Sequence, residues 1–229
     1  GVAGAHDGGP WGATLRGRRE PILLSRELLR AIKAGESELT EEGPYVIGVT
    51  GASGAPIAAR VLQTLRTSDV EHVVILSPGA AAVIREELGM EPEALLRGTP
   101  TVYADTDLGA PIASGSRRTR GMAVVPCSTN TLAKIALGLA DTLITRAAHV
   151  HLKEHRRLVL VPRETPLSAI ELGHMTRLAE LGVVILPASP PYYLHPKGVG
   201  DLVDYLAGKT LDHLGIPHHL YRGWREEGA

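Results

Sequence analysis

Several segments of this chain place small or hydroxyl residues where an apolar run gives way to a helix-forming one. Gly51-Ala52-Ser53-Gly54 is the first such turn, Ser77-Pro78-Gly79 the second, and Cys127-Ser128-Thr129-Asn130-Thr131 the third. Glycine and alanine let a backbone or a ligand edge come close. A helix start presents amides, expected here to be free, that attract an anion. Hydroxyls at such a place serve as ordinary helix N-caps, so one turn alone says little. Two in one sheet point to a phosphorylated ligand. The first turn lacks the Gly-Lys-Ser/Thr ending of a Walker loop and is not a full Gly-x-Gly-x-x-Gly fingerprint.

Arg146, Lys153, Arg163 and Lys209, with Tyr193, form a second set that falls near helix starts or loops able to converge. Arginine forks and a lysine point charge suit a phosphate monoester that no metal neutralises. Glu164, directly after Arg163, is a candidate proton carrier. His151-Leu152-Lys153-Glu154-His155 matches a short zinc-peptidase pattern. Five residues without structural context do not make a metal site, and none is expected. The other histidines, His218 and His219 included, are expected to be surface groups.

The elements that must position these residues read as an α/β domain. Tyr45 to Thr50, His72 to Ser77, Met122 to Pro126, Arg157 to Val161 and Val183 to Pro187 are short apolar runs separated by helical patterns. That alternation predicts a mostly parallel, doubly wound sheet. Successive apolar residues fit strands covered on both faces. Ligands of such sheets sit beyond the carboxyl ends of the strands, where all of these turns lie. Crossover helices are expected over Ile57–Leu65, Ala80–Leu88, Thr131–Leu139, Leu143–Glu154 and Leu167–Leu181, with a closing helix through Val199–Leu214. Residues 1–43 read as an extension, partly helical around Ile22–Ile32 or disordered, and 44–229 as the ligand-binding domain with a C-terminal helix and tail.

Bulk composition narrows the partners. Lys and Arg number 24 against 25 Asp and Glu, which gives no basic field for a nucleic-acid backbone. Apolar runs fall far short of the roughly 20 residues that span a bilayer. A lone Cys127 excludes an intramolecular disulfide framework, and a cytoplasmic location is expected.

From about Tyr45 to Trp224 the chain resembles the UbiX-type flavin prenyltransferases, formerly described as aromatic acid decarboxylases. The resemblance rests on Val49-Thr50-Gly51-Ala52-Ser53-Gly54-Ala55, Ala113-Ser114-Gly115-Ser116, Pro126-Cys127-Ser128-Thr129 and above all Leu158-Val159-Leu160-Val161-Pro162-Arg163-Glu164-Thr165-Pro166-Leu167-Ser168. It implies a three-layer Rossmann-like flavoprotein fold and a homododecamer. It also implies a metal-independent transfer of a dimethylallyl group, from dimethylallyl phosphate or a related pyrophosphate, to reduced FMN. The prenylated FMN would serve a UbiD-type decarboxylase. By position, the resemblance assigns Gly51, Ala52, Ser53, Ser77, Ser128, Thr129, Asn130, Thr131 and Arg163 to the flavin. It assigns Arg146, Lys153, Arg163, Tyr193 and Lys209 to the phosphate. Glu164 becomes the acid/base, Ser53 a proton relay, Lys153 a catalytic cation and Glu87 a further active-site carboxylate. Leu108 stands where some members carry Trp, Lys209 replaces a frequent Arg, and Asn130 lies at a variable place. Two other readings share the fold: an FMN-dependent cysteine decarboxylase, whose loop Asn130-Thr131 fits but whose next loop Pro162-Arg163-Glu164-Thr165 does not, and a non-catalytic FMN-binding subunit.

Overall fold

A computed structural model describes residues 43–223. The helix expected around Ile22–Ile32, with the extension up to residue 42, lies outside the described residues.

Six strands make one sheet: β1 (Tyr45–Val49), β2 (His72–Leu76), β3 (Thr101–Ala104), β4 (Gly121–Cys127), β5 (Leu158–Pro162) and β6 (Val184–Ile185). Their order is β3-β2-β1-β4-β5-β6, and every neighbouring pair is parallel. The helices are α1 (Ala55–Thr67), α2 (Pro78–Leu88), the single turn α3 (Pro92–Leu95), α4 (Thr129–Leu137), α5 (Leu143–Lys153), α6 (Ala169–Glu180) and α7 (Val199–Leu214). The expected doubly wound sheet is therefore present. The strand order reverses between β1 and β4, and the crevice beyond their carboxyl ends is the switch point where such sheets bind ligands.

Successive apolar strand residues part company across the sheet. Ile47, Val125 and Val161 face a core completed by Val61, Leu62 and Leu65 of α1 and Leu206 and Leu211 of α7. Their chain neighbours Val46, Val124 and Leu160 face a second core with Leu132 of α4 and Leu143 and Ile144 of α5. Each fully buried Leu, Ile or Val side chain is worth about 1.5–3 kcal/mol relative to exposure, so both faces hold the sheet. β3, absent from the expectation, is an edge strand of four residues with an alternately exposed pattern. It offers no apolar run to read.

Because the strands are parallel, each crossover helix runs back from the carboxyl edge to the amino edge. α5 starts beside the end of β3, where Leu143 N donates to Asp105 O and Ile144 N to Asp105 Oδ1, both at 2.7 Å. It ends just before β5. Among the described residues no helix is long and apolar enough to cross a membrane.

Candidate active site

Thr50, the residue after β1, ties the two turns at the switch point together. Its hydroxyl donates to Pro126 O at 2.7 Å and accepts from Ser128 N at 2.8 Å, fixing the β1 turn against the β4 turn. Ser128 then caps α4 by accepting from Thr131 N at 3.2 Å, and its hydroxyl lies 3.0 Å from that of Thr131. Ser77 caps α2 in the same way, accepting from Ala80 N at 3.2 Å. The β1 and β2 turns meet backbone to backbone: a Cβ on Gly51 would stand 3.0 Å from the Gly79 Cα. Only glycine tolerates that approach. Gly51 and Asn130 are exposed, while Ser53, Ser77, Ser128, Thr129 and Thr131 are half-buried and Ala52 is buried. The result is a rim of small residues and hydroxyls along the carboxyl edge.

One expectation is corrected. The amides at the start of α1 are not free, because the Glu87 carboxylate of α2 accepts from Gly54 N at 2.9 Å and Ala55 N at 2.8 Å. Gly54 itself adopts φ 125° against Pro126, a conformation glycine alone enters readily. A carboxylate at a helix N-terminus satisfies orphan donors and the helix dipole together. Glu87 thus holds the first turn in shape and takes the place an anion would have taken. The start of α4, capped only by a neutral hydroxyl, is left as the anion-attracting helix end at the switch point.

Arg163 and Glu164 follow β5 at the same edge, both exposed. The Glu164 carboxylate accepts from the Thr165 amide at 3.0 Å. The loop after β6 is joined to the end of β5 by Ala188 N donating to Pro162 O at 2.9 Å. That loop carries Tyr193, which hydrogen-bonds with Tyr205 of α7. Lys209, one turn further along α7, lies 3.5 Å from Asp212. Tyr193 and Lys209 therefore share one neighbourhood.

Lys153 does not join it within one chain. It sits in the last turn of α5, at the amino edge, where it pairs with Glu154 at 2.6 Å. A Cβ on Gly115 would stand 2.8 Å from its Nζ, so the segment Ser114-Gly115-Ser116 seats against the pair. Arg146 is exposed in the first half of the same helix. Convergence of all the cations is not achieved by a single subunit. Leu108 is exposed, at 48%.

Of the two histidines beside Lys153, His151 has both ring nitrogens engaged within the protein. His151 is buried, with Nδ1 donating to Ala147 O at 2.8 Å, so Nε2 accepts from the Thr119 hydroxyl at 3.0 Å. Burial pushes its pKa down to about 4. Arg156 anchors the same loop through Gly115 O at 2.6 Å and Arg117 O at 2.7 Å. Cys127 is buried, which pushes its thiol up to about 12.

A second correction concerns His218, expected on the surface. Its side chain is only 5% exposed and donates to Asp212 Oδ1 at 3.0 Å. Sequence reasoning quoted Thr50 and Gly79 within its turns without giving either a role, and passed over Tyr205 and Asp212. Thr50 carried a readable signal, a hydroxyl adjoining the first glycine turn; the others depend on long-range packing.

The family model for Flavoprotein matches residues 34–211. The flavin prenyltransferase UbiX of Halalkalibacterium halodurans is 43% identical over 196 residues, covering 81% of this chain and 95% of that protein. This chain belongs to the UbiX flavin prenyltransferase family. Two solved structures of UbiX proteins superpose with a TM-score of 0.78. One is AnUbiX (PadA1) in complex with FMN and dimethylallyl pyrophosphate, 40% identical, covering 81% of this chain and 98% of that one. The other is a dodecameric FMN-dependent UbiX-like decarboxylase from Escherichia coli O157:H7, 42% identical, covering 80% of this chain and all of that one.

Proposed function

We propose that this protein is a flavin prenyltransferase that joins the dimethylallyl group of dimethylallyl phosphate to reduced FMN. The prenylated FMN passes to a UbiD-type decarboxylase. The observation that carries the reading is the placement of Arg163 and Glu164 on the carboxyl edge beside hydroxyl-capped turns, in a chain 43% identical to a flavin prenyltransferase. Gly51, Ala52, Ser53, Ser77, Ser128, Thr129, Asn130, Thr131 and Arg163 hold FMN, with its phosphate toward the start of α4. Reduced FMN supplies the nucleophile.

The protein's task is to let phosphate leave. Negative charge develops on the phosphate oxygen as the allylic carbon detaches, and fixed cations stabilise it. Arg146, Lys153, Arg163, Lys209 and the Tyr193 hydroxyl fill that role. Glu164 hands a proton to the departing phosphate and later accepts one as the new ring closes, with Ser53 as a relay. Glu87 acts through the backbone of the first turn. Because Lys153 lies at the amino edge of its own subunit, a neighbouring subunit completes the cation set. A homododecamer supplies that neighbour, as the dodecameric relative suggests. Residues 1–43 are an extension to the flavin-binding domain 44–229, and the protein works in the cytoplasm.

Incubation without oxygen with reduced FMN and dimethylallyl phosphate, then mass analysis of the flavin released on denaturation, tests the reading. A mass gain of one prenyl group is expected. Unmodified flavin beside intact donor overturns it.

A further inference from the structure

Asp212 is crowded by donors from two directions. From the tail beyond α7, His218 Nε2 donates to its Oδ1 at 3.0 Å and the Tyr221 hydroxyl donates to its Oδ2 in a short contact. From its own helix, Lys209 approaches the same Oδ2 only to 3.5 Å, with its side chain one-third exposed. His218 is set for this contact, because its Nδ1 accepts from Leu220 N at 3.1 Å and leaves Nε2 as the donor. The tail is seated by the absence of a side chain at Gly208, where a Cβ would stand 2.7 Å from His218 Cε1 and 2.6 Å from the Tyr221 ring. That ring packs 4.9 Å from Tyr205, which hydrogen-bonds with Tyr193.

A carboxylate one helical turn from a lysine would normally close on it and neutralise its charge. Here both carboxylate oxygens already have closer partners. We propose that the tail, through Tyr221 and His218, keeps Asp212 occupied so that Lys209 stays available to the phosphate of the prenyl donor. His218, Tyr221 and Asp212 are positioning residues that act on the donor through Lys209. The same packing fixes Tyr205, and through it Tyr193. Burial alone would push Asp212 up, yet the hydroxyl of Tyr221, His218 and the Lys209 charge hold it below the usual carboxylate range. This inference rests on the assignment of Lys209 to the phosphate.

The test is a set of variants of the full chain, loaded with FMN and titrated with inorganic phosphate by calorimetry, beside the donor KM. Tyr221→Phe lets Asp212 turn to Lys209, so phosphate affinity and donor KM should each worsen about three- to tenfold, with FMN affinity and kcat little changed. Asp212→Asn removes the competing charge, so phosphate should bind as well as in the parent or better. The Tyr221→Phe/Asp212→Asn double variant should recover parental affinity. A purely structural tail would instead make Asp212→Asn as damaging as Tyr221→Phe, and that result overturns the inference. So does parental phosphate binding in Tyr221→Phe, or no phosphate binding by the parent. Should Tyr221→Phe fold poorly, His218→Leu, which removes the other donor to Asp212, carries the same expectation. Loss of prenyl transfer in the parent would sink the proposed function while the phosphate titration still decides this inference.

Discussion

The proposed flavin cradle and the proposed charged rim of this molecule are built on opposite rules. In the cradle, Thr50, Ser77, Ser128 and Glu87 all spend hydrogen bonds on fixing backbone turns within one chain. Among the charged groups, Lys153 at the amino edge pairs with its exposed neighbour Glu154, and Glu164 at the carboxyl edge accepts from the next amide. Folding therefore sets the shape of the proposed flavin cradle, whereas the charges assigned to the phosphate make only local contacts within the chain. Damage to the cradle should appear as lost stability and FMN affinity, damage to the rim as lost rate.

The most severe break of that contrast is Glu164→Gln, which keeps the volume but cannot hand over a proton. Prenyl transfer should slow about 10²–10⁴-fold while FMN affinity, read by flavin fluorescence, stays put. Parental turnover would remove Glu164 from the proton path.

Beneath the rim, His151 should make stability depend on pH. Its folded pKa of about 4 lies below an unfolded value of about 6.5. The unfolded chain then binds more protons between those values, so the contribution is complete above pH about 6.5 and disappears as pH falls towards 4. At most about 3 kcal/mol is involved. Thermal midpoints should drop across that window in the parent and clearly less in His151→Gln; equal slopes would show that other groups dominate.

Lys153→Ala should sharpen the contrast from the charged side, raising donor KM and lowering kcat by about 10-fold or more, because in the proposed reaction its charge meets phosphate in both ground and transition states. Mixing it with Glu164→Gln subunits should restore some active sites if the two residues serve one site from different chains. No recovery in mixed oligomers would place both in one subunit. The mildest change is Ser128→Ala, a lost cap worth about 1 kcal/mol, visible as a lower melting temperature and weaker FMN binding. Unchanged FMN affinity there would mean that the start of α4 does not face the flavin phosphate.

Much of this was legible in the chain itself. The apolar runs at Tyr45, His72 and Leu158 are strands because buried parallel strands need successive apolar residues, and the turns after them announced the ligand edge. β3 escaped because an edge strand half-exposed at Val102 shows no such run. Glu87 escaped as a turn anchor because it reaches Gly54 from 33 residues away, and His218 because its burial depends on Gly208 lacking a side chain. Local pattern reports elements and edges; it does not report which side chain from afar fills a helix end.

The helix α6 carries a last consequence. Leu178 is its only buried residue, while Ile170 is 67% exposed and Leu172 50%. If a neighbouring subunit covers that exposed face in the proposed oligomer, the protection of α6 follows mass action. On serial dilution, amide hydrogens of α6 should exchange with solvent deuterium well before those of α1, whose Val61, Leu62 and Leu65 are fully enclosed. Protection along this one helix would then serve as a gauge of how much assembled protein remains.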